Sequence, residues 1–414
     1  MEASRHQFLK KATRKKLIAE SADILRQIRE ELPPNLAEME YFYERLQAWS
    51  EGKIVHEKPL IGTFCIQVPE ELIFALDAQF ERLCDGSRAC DLTGMERLGG
   101  KSCSMIKASL GRLDALAEPT DYAAIIIPTT CDQKKKLGDI LKAQGFPILF
   151  LNMPSGKMDD AARHFWHQSV QELATQLQKI LNVKLTTSKL LEQVKIIGRA
   201  RQAFRHFEQL RARKRAIHGV DALIISSTWF FDTPQNWTQA LLKLNAALAK
   251  QPDHQGQEPR ILLTGSPNIF PNLKTPLLAE KAGAWIVGDE FCSSHRLLHD
   301  VVTFEEGHPH DLLPAIADRY LKPCTCPCLS DNEDRIRKLS YLASNLQLDG
   351  VIYQSLSGCS LYEMEYLVVE PQLKTQKLPN LYLETDYGPD DVGQITTRIE
   401  AFLESLYQQR NTKQ

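Results

Sequence analysis

The chain has 414 residues, of which 43% are hydrophobic and 25% charged, with a formal net charge of -2. This composition is ordinary for a globular protein of two or three domains, and it gives no indication of nucleic acid as a partner. No apolar run approaches the length of a membrane span, and the basic N-terminus lacks the apolar core of a secretory signal. We therefore expect a cytoplasmic protein without a membrane partner, whose ten cysteines serve metal or redox chemistry rather than disulfides.

A polar helical segment opens the chain over residues 1–58. Apolar residues recur there at helical spacing as far as Leu32, and Pro33 and Pro34 predict the end of the first helix. A second helix is predicted over 36–49. The pattern indicates a helical arm that packs either on a partner or on the main body of the protein.

A first α/β domain is predicted over residues 59–215. Strands are expected at 60–65, 80–84, 123–127 and 146–151. The run 123–127 does not alternate with polar residues, which predicts a strand buried on both faces. Thr129 and Thr130 are the predicted N-caps of the helix that follows it. One continuous long helix is predicted over 159–215, and its positively charged end indicates a solvated face or, less simply, a docking face for an acidic partner.

A second α/β domain is predicted over residues 216–414. Strands are expected at 260–266, 284–292, 349–359 and 381–386, with a helix from about Asp331 and a closing helix through 406. Strands alternate with helices in both halves of the chain, and this alternation is typical of parallel sheets.

Cysteines recur where a predicted strand ends or a predicted helix begins. Such positions are held by Cys103, Cys131, Cys292 and Cys359, with Cys326 and Cys328 in a loop before a helix. The carboxyl ends of parallel strands share one edge of a sheet, and helix N-termini favour an anionic thiolate. A single cysteine of this kind is equally well explained as a buried residue beside a turn. The recurrence favours a metal site.

The choice of metal depends on how many thiols must be explained. Zinc needs four ligands, which the run CTCPC at 324–328 and one remote cysteine would supply. Cys103, Cys131 and Cys359 would then have no role, whereas iron–sulfur clusters also suit thiolate-rich sites. The pattern therefore favours iron–sulfur over zinc.

Two weaker signals are given no functional role. Residues 94–101 nearly imitate a phosphate loop, but the glycines are one residue out of register and no strand precedes them. Any ATP used would therefore be hydrolysed by another protein. His295 and His299 lie four residues apart with no Glu or third ligand nearby, and they are predicted to be ordinary histidines.

Several sequence blocks occur together in one order along the chain. They are GTFC at 62–65, VPEEL at 68–72, Cys103 before MIK, TCDQKKK at 130–136, GDEFC at 288–292, DGVI at 349–352, ETDY at 384–387 and GQITTRIEAF at 393–402. Over residues 60–406 the chain thereby resembles the 2-hydroxyacyl-CoA dehydratase D-component superfamily, which includes benzoyl-CoA reductase subunits. The TCDQKKK block, the cysteine loop before Arg335, and Cys359 followed by Tyr362 and Glu365 resemble its double-cubane cluster protein branch most.

The resemblance implies two flavodoxin-like parallel-sheet domains that face each other across an iron–sulfur site. It implies one set of cluster ligands at Cys103, Cys131 and Cys359. It implies a second set, for a second cubane bridged to the first, at Cys292, Cys326 and Cys328. Cys65 is a reserve for the second set, and Cys324 makes the choice within its loop uncertain. Ser104 and Ser266 depart from residues that relatives usually carry.

The function implied is an iron–sulfur reductase that acts on a small, hard-to-reduce molecule at a double-cubane [8Fe–9S] cluster. Its low-potential electrons would come from a separate ATP-hydrolysing iron–sulfur activator. That activator is twofold symmetric, which favours a homodimer of this chain as its partner. Two alternatives stay open: a subunit of a 2-hydroxyacyl-CoA dehydratase with a single [4Fe–4S] cluster, and a non-catalytic electron carrier or zinc-structured binding protein.

Overall fold

The structure, a computed structural model, describes residues 2–32, 36–304, 312–330 and 333–413, with side chains described from 7 to 410 within those ranges. The predicted helix end at Pro33 and Pro34 and the predicted helix start at Asp331 lie outside the described residues. Within the described ranges, no helix combines the length and the apolarity that crossing a bilayer requires.

The N-terminal arm consists of helices α1 (Glu2–Glu31) and α2 (Glu40–Ser50). It packs on the main body of the protein, which decides between the two places predicted for it. The carboxylate of Glu20 accepts hydrogen bonds from the Ser87 hydroxyl and the Ala89 amide. On α2, the Tyr43 hydroxyl donates to Asp221 over 2.5 Å.

The first sheet has four parallel strands in the order β2-β1-β3-β4. The strands are β1 (Leu60–Thr63), β2 (Gln79–Arg82), β3 (Ala124–Pro128) and β4 (Ile148–Leu151). Its helices are α3 (Glu70–Ala75), α4 (Arg88–Leu98), α5 (Ser104–Leu116) and α6 (Asp132–Ala143). Every residue of β3 is buried, which confirms the prediction that this strand has two covered faces.

The single long helix predicted over 159–215 is wrong, because two helices occupy this segment. They are α7 (Asp160–Leu181) and α8 (Thr187–Arg211). Asn182 ends α7 in the left-handed conformation with φ 52°, which asparagine tolerates better than most residues. The Thr186 hydroxyl then caps α8 by accepting a hydrogen bond from the Lys189 amide.

The positively charged run at the end of α8 is not simply a solvated face. Arg201 is buried and donates to Glu71 over 2.6 Å, and Arg211 is buried and donates to Asp289 over 2.8 Å. Arg205 is exposed between them. The two buried arginines therefore point inward and neutralise carboxylates, because an unpaired buried charge would be costly.

The second sheet repeats the strand order of the first as β6-β5-β7-β8, again all parallel. Its strands are β5 (Arg260–Gly265), β6 (Trp285–Glu290), β7 (Gly350–Leu356) and β8 (Asn380–Thr385). The helices after β5 are α11 (Lys274–Lys281), α12 (His295–Leu298), α13 (Leu312–Leu321), α14 (Glu333–Asn345), α15 (Ser360–Thr375) and α16 (Val392–Lys413). The prediction of an α/β fold with two parallel sheets is confirmed.

Two helices that the sequence did not predict, α9 (Gly219–Thr228) and α10 (Pro234–Ala249), lie between the two sheets along the chain. All residues of α9 are buried, so it lacks the amphipathic period by which a surface helix is recognised. The segment after it reaches back to the first half, where Trp229 donates to Glu70 over 3.0 Å. The domain limits 59–215 and 216–414 therefore stay a prediction.

Candidate metal centre

Three of the predicted ligands lie at the start of a helix. Cys103, Cys131 and Cys359 are the N-cap residues of α5, α6 and α15. The prediction that Thr129 or Thr130 caps α6 is wrong. Their hydroxyls are used elsewhere: that of Thr129 accepts from the Met153 amide over 2.9 Å, and that of Thr130 lies 3.3 Å from Cys65 Sγ.

A cavity of about 310 Å³ lies where the two sheets present their carboxyl ends to each other. Many of its wall residues come shortly after the carboxyl ends of strands: β1, β2 and β3 in the first sheet, and β5, β6 and β7 in the second. Eight of the ten cysteines line it: Cys65, Cys84, Cys103, Cys131, Cys292, Cys326, Cys328 and Cys359. The structure thus brings all six predicted ligand cysteines to one cavity. Their assignment as ligands stays a prediction.

The remaining cysteines differ from these eight in their surroundings. Cys324 is buried outside the cavity wall, and its sulfur accepts a hydrogen bond from Gln67 over 3.4 Å. Cys90 is buried within α4 and does not line the cavity. Cys84 belongs to the wall but was not singled out from the sequence, although its position two residues after β2 is the signal that identified the others.

Four of the cavity thiols form two hydrogen-bonded pairs, Cys103 with Cys359 and Cys326 with Cys328. A hydrogen bond from Cys103 lowers the pKa of Cys359 to about 7, while that bond and burial raise the pKa of Cys103. A hydrogen bond from Cys328, with the nearby charge of Arg296, likewise lowers the pKa of Cys326 to about 6. Each pair therefore holds one thiolate near neutral pH, and the thiolate is the form that binds metals.

Burial opposes the ionisation of two further thiols, those of Cys65 and Cys292. It raises the pKa of Cys65 to about 11 and that of Cys292 to about 12. A bound metal cation reverses this balance, because binding releases the proton of each ligand thiol. Metal binding in the cavity would thus be coupled to the release of thiol protons.

The three lysines that follow Cys131 separate into one buried and two exposed side chains. Lys134 lines the cavity, with Nζ 2.5 Å from Cys65 Sγ. Burial opposes its charge, but the thiols around it raise its pKa well above the usual value. Lys135 and Lys136 instead form exposed ion pairs with the carboxylates of α6. Only the first lysine can moderate the charge of a bound group.

A buried ion network supports the wall on the side of Cys292. Arg296 contacts both oxygens of Glu290, over 2.7 and 2.8 Å, and the Tyr362 hydroxyl over 3.1 Å. Burial would raise the pKa of Glu290, but Arg296 and Arg335 outweigh it and lower it to about 2. Thr325 donates to Glu290 over 2.8 Å, so the network ties the cysteine loop to the end of β6.

The prediction that no third ligand lies near His295 and His299 is wrong. Glu208, on α8, accepts a contact from each ring, over 2.6 and 2.9 Å. The three residues come from segments 87 and 91 positions apart in the chain, so no spacing in the sequence could have shown the cluster.

The cavity wall gathers thiols of the kind that bind metals in proteins. Eight thiols exceed the four ligands of one zinc ion, and sulfur-rich sets of this size suit iron–sulfur clusters. Hydrogen-bond contact within the two cysteine pairs also places their sulfurs close enough for each pair to serve one metal group. The residues present therefore fit an iron–sulfur group.

Comparison with known proteins identifies the family. The model of the family described as 2-hydroxyglutaryl-CoA dehydratase, D-component, matches residues 65–406. The chain therefore belongs to the 2-hydroxyglutaryl-CoA dehydratase D-component family. The superfamily resemblance is confirmed at this level. The family implies an iron–sulfur group and an ATP-dependent activator, while the double-cubane branch stays a proposal.

Similar proteins cover most of the chain. It is 31% identical over 361 residues to "Putative dehydratase subunit YjiM" of Escherichia coli (strain K12), which covers 84% of this chain and 91% of that protein. It is 25% identical over 364 residues to (R)-2-hydroxyglutaryl-CoA dehydratase, subunit beta, of Acidaminococcus fermentans, covering 84% and 93%. It is 21% identical over 384 residues to a benzoyl-CoA reductase subunit of Thauera aromatica, covering 90% and 97%. These names describe enzyme subunits of two reaction types, elimination and reduction.

Proposed function

We propose that this chain is an iron–sulfur reductase that reduces a small, hard-to-reduce molecule at a double-cubane cluster. The observation that carries the proposal is the gathering of eight cysteines on one cavity between the two sheets. One [4Fe–4S] cluster takes at most four cysteines, so a single cubane would leave half of these thiols without a role. Two joined cubanes use more of them.

The first cubane is assigned to Cys103, Cys131 and Cys359. Gln133, in the first turn of α6, supports this grouping because it links the three helix starts. Its Oε1 accepts from the Cys103 amide over 2.8 Å, and its Nε2 donates to the Gly358 carbonyl over 2.9 Å. Backbone N–H groups at the three helix N-termini also favour the negative charge of a bound cluster.

The second cubane is assigned to Cys292, Cys326 and Cys328. Cys326 and Cys328 are in hydrogen-bond contact, and Arg296 lies near both Cys292 and Cys326. The orientation of Cys324 toward Gln67 supports its exclusion from the set. Cys65 and Cys84 line the same cavity, where Cys65 contacts Lys134 and is the reserve ligand.

When bound, the clusters would supply electrons one at a time at low potential. The chain's own residues supply charge balance and enclosure. Lys134 places a buried positive charge against the thiolates, which moderates the negative charge of the site. The rest of the wall is largely apolar, with Met105, Ile106 and Phe230 among its residues. Such a wall limits the access of water and suits a small molecule rather than a long charged one.

The electrons are proposed to come from a separate ATP-hydrolysing iron–sulfur activator, which meets a homodimer of this chain. The glycine-containing segment at 94–101 supports the need for a separate ATPase. Gly94 and Gly111 lie where α4 crosses α5, and an added Cβ at either would come 1.9 Å from a backbone oxygen. Gly94, the first residue of this segment, therefore permits close packing of α4 on α5.

A second candidate is a subunit of a 2-hydroxyacyl-CoA dehydratase with a single [4Fe–4S] cluster. The observation that favours it is the similarity to the dehydratase subunits of Escherichia coli and Acidaminococcus fermentans. In this function, Cys103, Cys131 and Cys359 would hold the single cluster.

Purification without oxygen, followed by iron and sulfide analysis, tests the proposal. About eight irons per chain are expected for two cubanes, and about four for the dehydratase type. Zinc as the only metal would contradict both. Sedimentation of the same sample tests the homodimer, and a monomer at all concentrations would contradict that part.

A further inference from the structure

Glu208, His295 and His299 form a cluster outside the cysteine cavity, and none of them lines that cavity. One oxygen of Glu208 lies 2.6 Å from His295 Nδ1, and the other lies 2.9 Å from His299 Nδ1. The two rings are 4.3 Å apart between centroids. One donor atom from each residue lies within 4.8 Å of the others.

The fold holds the three side chains in place from both sides. His295 begins α12 and His299 follows its last residue, so the two rings share one face at a spacing of four residues. Arg211, one turn after Glu208, donates to Asp289 over 2.8 Å. Asp289 also accepts from the Ser294 hydroxyl. The turn between β6 and α12 is thereby tied to α8.

The donor set is one that transition metals prefer. Two imidazoles and a carboxylate form the ligands of several zinc and iron(II) sites. Donor atoms around a tetrahedral zinc ion lie about 3.3 Å apart, because each bond is about 2.0–2.1 Å long. The two measured contacts to Glu208, of 2.6 and 2.9 Å, are shorter than this value, and one donor atom from each residue lies within 4.8 Å of the others, so a local adjustment of the side chains would admit the ion.

Charged groups surround the proposed site. Glu208 is its acidic member, and its two oxygens face the two histidine rings. Two cations face the cluster: Arg211 lies 3.9 Å from Glu208, and the charge of Lys338 acts on His299. Arg211 is already paired with Asp289.

His295 is buried, whereas His299 is partly open to solvent. His295 is 3% exposed, and its Nε2 has no hydrogen-bond partner among the described residues. The side chain of His299 is 25% exposed, which opens the cluster to solvent on one side. A metal ion would therefore have an entry path and a position left for water.

We propose that Glu208, His295 and His299 bind one divalent transition-metal ion, with water completing its coordination. The site is separate from the thiol cavity, but it stands on the segment that follows Cys292. It is thus placed to hold α8 against the loop that carries a proposed cluster ligand. This inference does not depend on the proposed reductase function.

The test uses zinc and the iron-replete protein purified without oxygen. The protein is incubated with Zn²⁺, separated from free metal, and analysed for zinc and iron per chain. Glu208→Gln is expected to lose about one zinc ion relative to the wild type, with its iron content unchanged. The control is His206→Gln, an exposed histidine of the same helix, which should keep the zinc. Equal zinc in Glu208→Gln and the wild type would overturn the proposal.

A second measurement keeps the proposal testable if Glu208→Gln does not fold. His299→Ala removes the partly exposed ligand, and its melting temperature is measured with and without Zn²⁺. A bound ion stabilises the folded state, so zinc should raise the melting temperature of the wild type and of His206→Gln but not of His299→Ala. An equal rise in His299→Ala, or none in the wild type, would mean that Glu208 only accepts hydrogen bonds from two histidines. The iron content, read in parallel, reports separately on the cluster proposal.

Discussion

The two halves of the chain bring equal numbers of cysteines to the cavity but support them by different means. Both sheets have the same strand order. The first half supplies Cys65, Cys84, Cys103 and Cys131, and the second supplies Cys292, Cys326, Cys328 and Cys359. In the first half the support comes from helix N-termini and from Lys134, whose Nζ contacts Cys65. In the second it includes a buried ion network of residues distant in the chain, centred on Glu290.

The comparison shows that one strand order can present thiols in two ways. A thiol at a helix start is positioned by its own strand, turn and helix, with Gln133 joining the helix starts to one another. The loop of Cys326 and Cys328 lacks a helix of its own, and Glu290 and Arg335 fix it by contacts with Thr325. The cysteines at helix starts should therefore lose their metal group when a thiol is removed. The loop of Cys326 and Cys328 should be disturbed both by loss of a thiol and by loss of a charged residue distant in the chain.

The largest effect is expected from Cys131→Ala. This change removes a proposed ligand at the start of α6, and we expect about four irons per chain to be lost. Iron analysis of protein purified without oxygen measures the loss. Cys90→Ala is the control, because Cys90 is buried in α4 away from the cavity. Full iron content in the alanine variants of Cys131, Cys103 and Cys359 would show that the ligand assignment is wrong.

The next effect is expected from Arg335→Met, which breaks the ion network of the second half. Arg335 is 1% exposed and lies 3.3 Å from Glu290 and 3.1 Å from Glu365. Removing one partner of a buried ion pair leaves an uncompensated charge and costs about 3–5 kcal/mol of unfolding free energy. Urea unfolding followed by circular dichroism measures it. Arg337→Met, an exposed change on the same helix, should alter stability by less than about 1 kcal/mol.

A smaller effect is expected from Gln133→Leu. The change removes the two hydrogen bonds that join the starts of α5 and α6 to the Gly358 carbonyl. Both hydrogen bonds are partly buried, and each contributes about 1 kcal/mol net, so a loss of about 2 kcal/mol is expected in the same unfolding experiment. The exposed Gln171 of α7 provides the control variant Gln171→Leu. Unchanged stability of Gln133→Leu would mean that the three helix starts are held by other contacts.

The smallest effect is expected from Lys134→Met, which leaves the ligand set intact. Loss of a buried positive charge makes the bound group harder to reduce, so its reduction potential should become more negative. A redox titration followed by absorbance measures the shift. Lys135→Met serves as the control, since this side chain is exposed and paired with Asp132. A potential equal to that of the wild type would remove the role assigned to Lys134.

Features encoded within a short stretch were predictable from the sequence. β3 was recognised because its apolar run is uninterrupted, and the cysteines at helix starts were recognised because strand, turn and helix signals adjoin. The break between α7 and α8 was missed. It depends on the single residue Asn182 and a threonine cap rather than on glycine or proline.

Features that depend on contacts between distant segments were not predictable. The sequence could not separate Cys324 from Cys326 and Cys328. The feature that distinguishes Cys324 is a hydrogen bond from Gln67, which is distant in the chain. The sequence also could not show that Arg201 pairs with Glu71. This pairing buries one arginine of the positively charged run. The link between Glu208 and the two histidines is of the same kind, since only the packing of α8 on α12 brings these residues together.

The central claim is that this chain accepts electrons that ordinary carriers do not deliver, and ATP-dependent reduction tests it most directly. The oxidised, iron-replete protein is mixed with reduced activator, with and without ATP, and the cluster absorbance is followed. A parallel sample receives reduced ferredoxin alone. We predict that bleaching of the cluster absorbance requires both the activator and ATP. Full reduction by ferredoxin without ATP would contradict the claim.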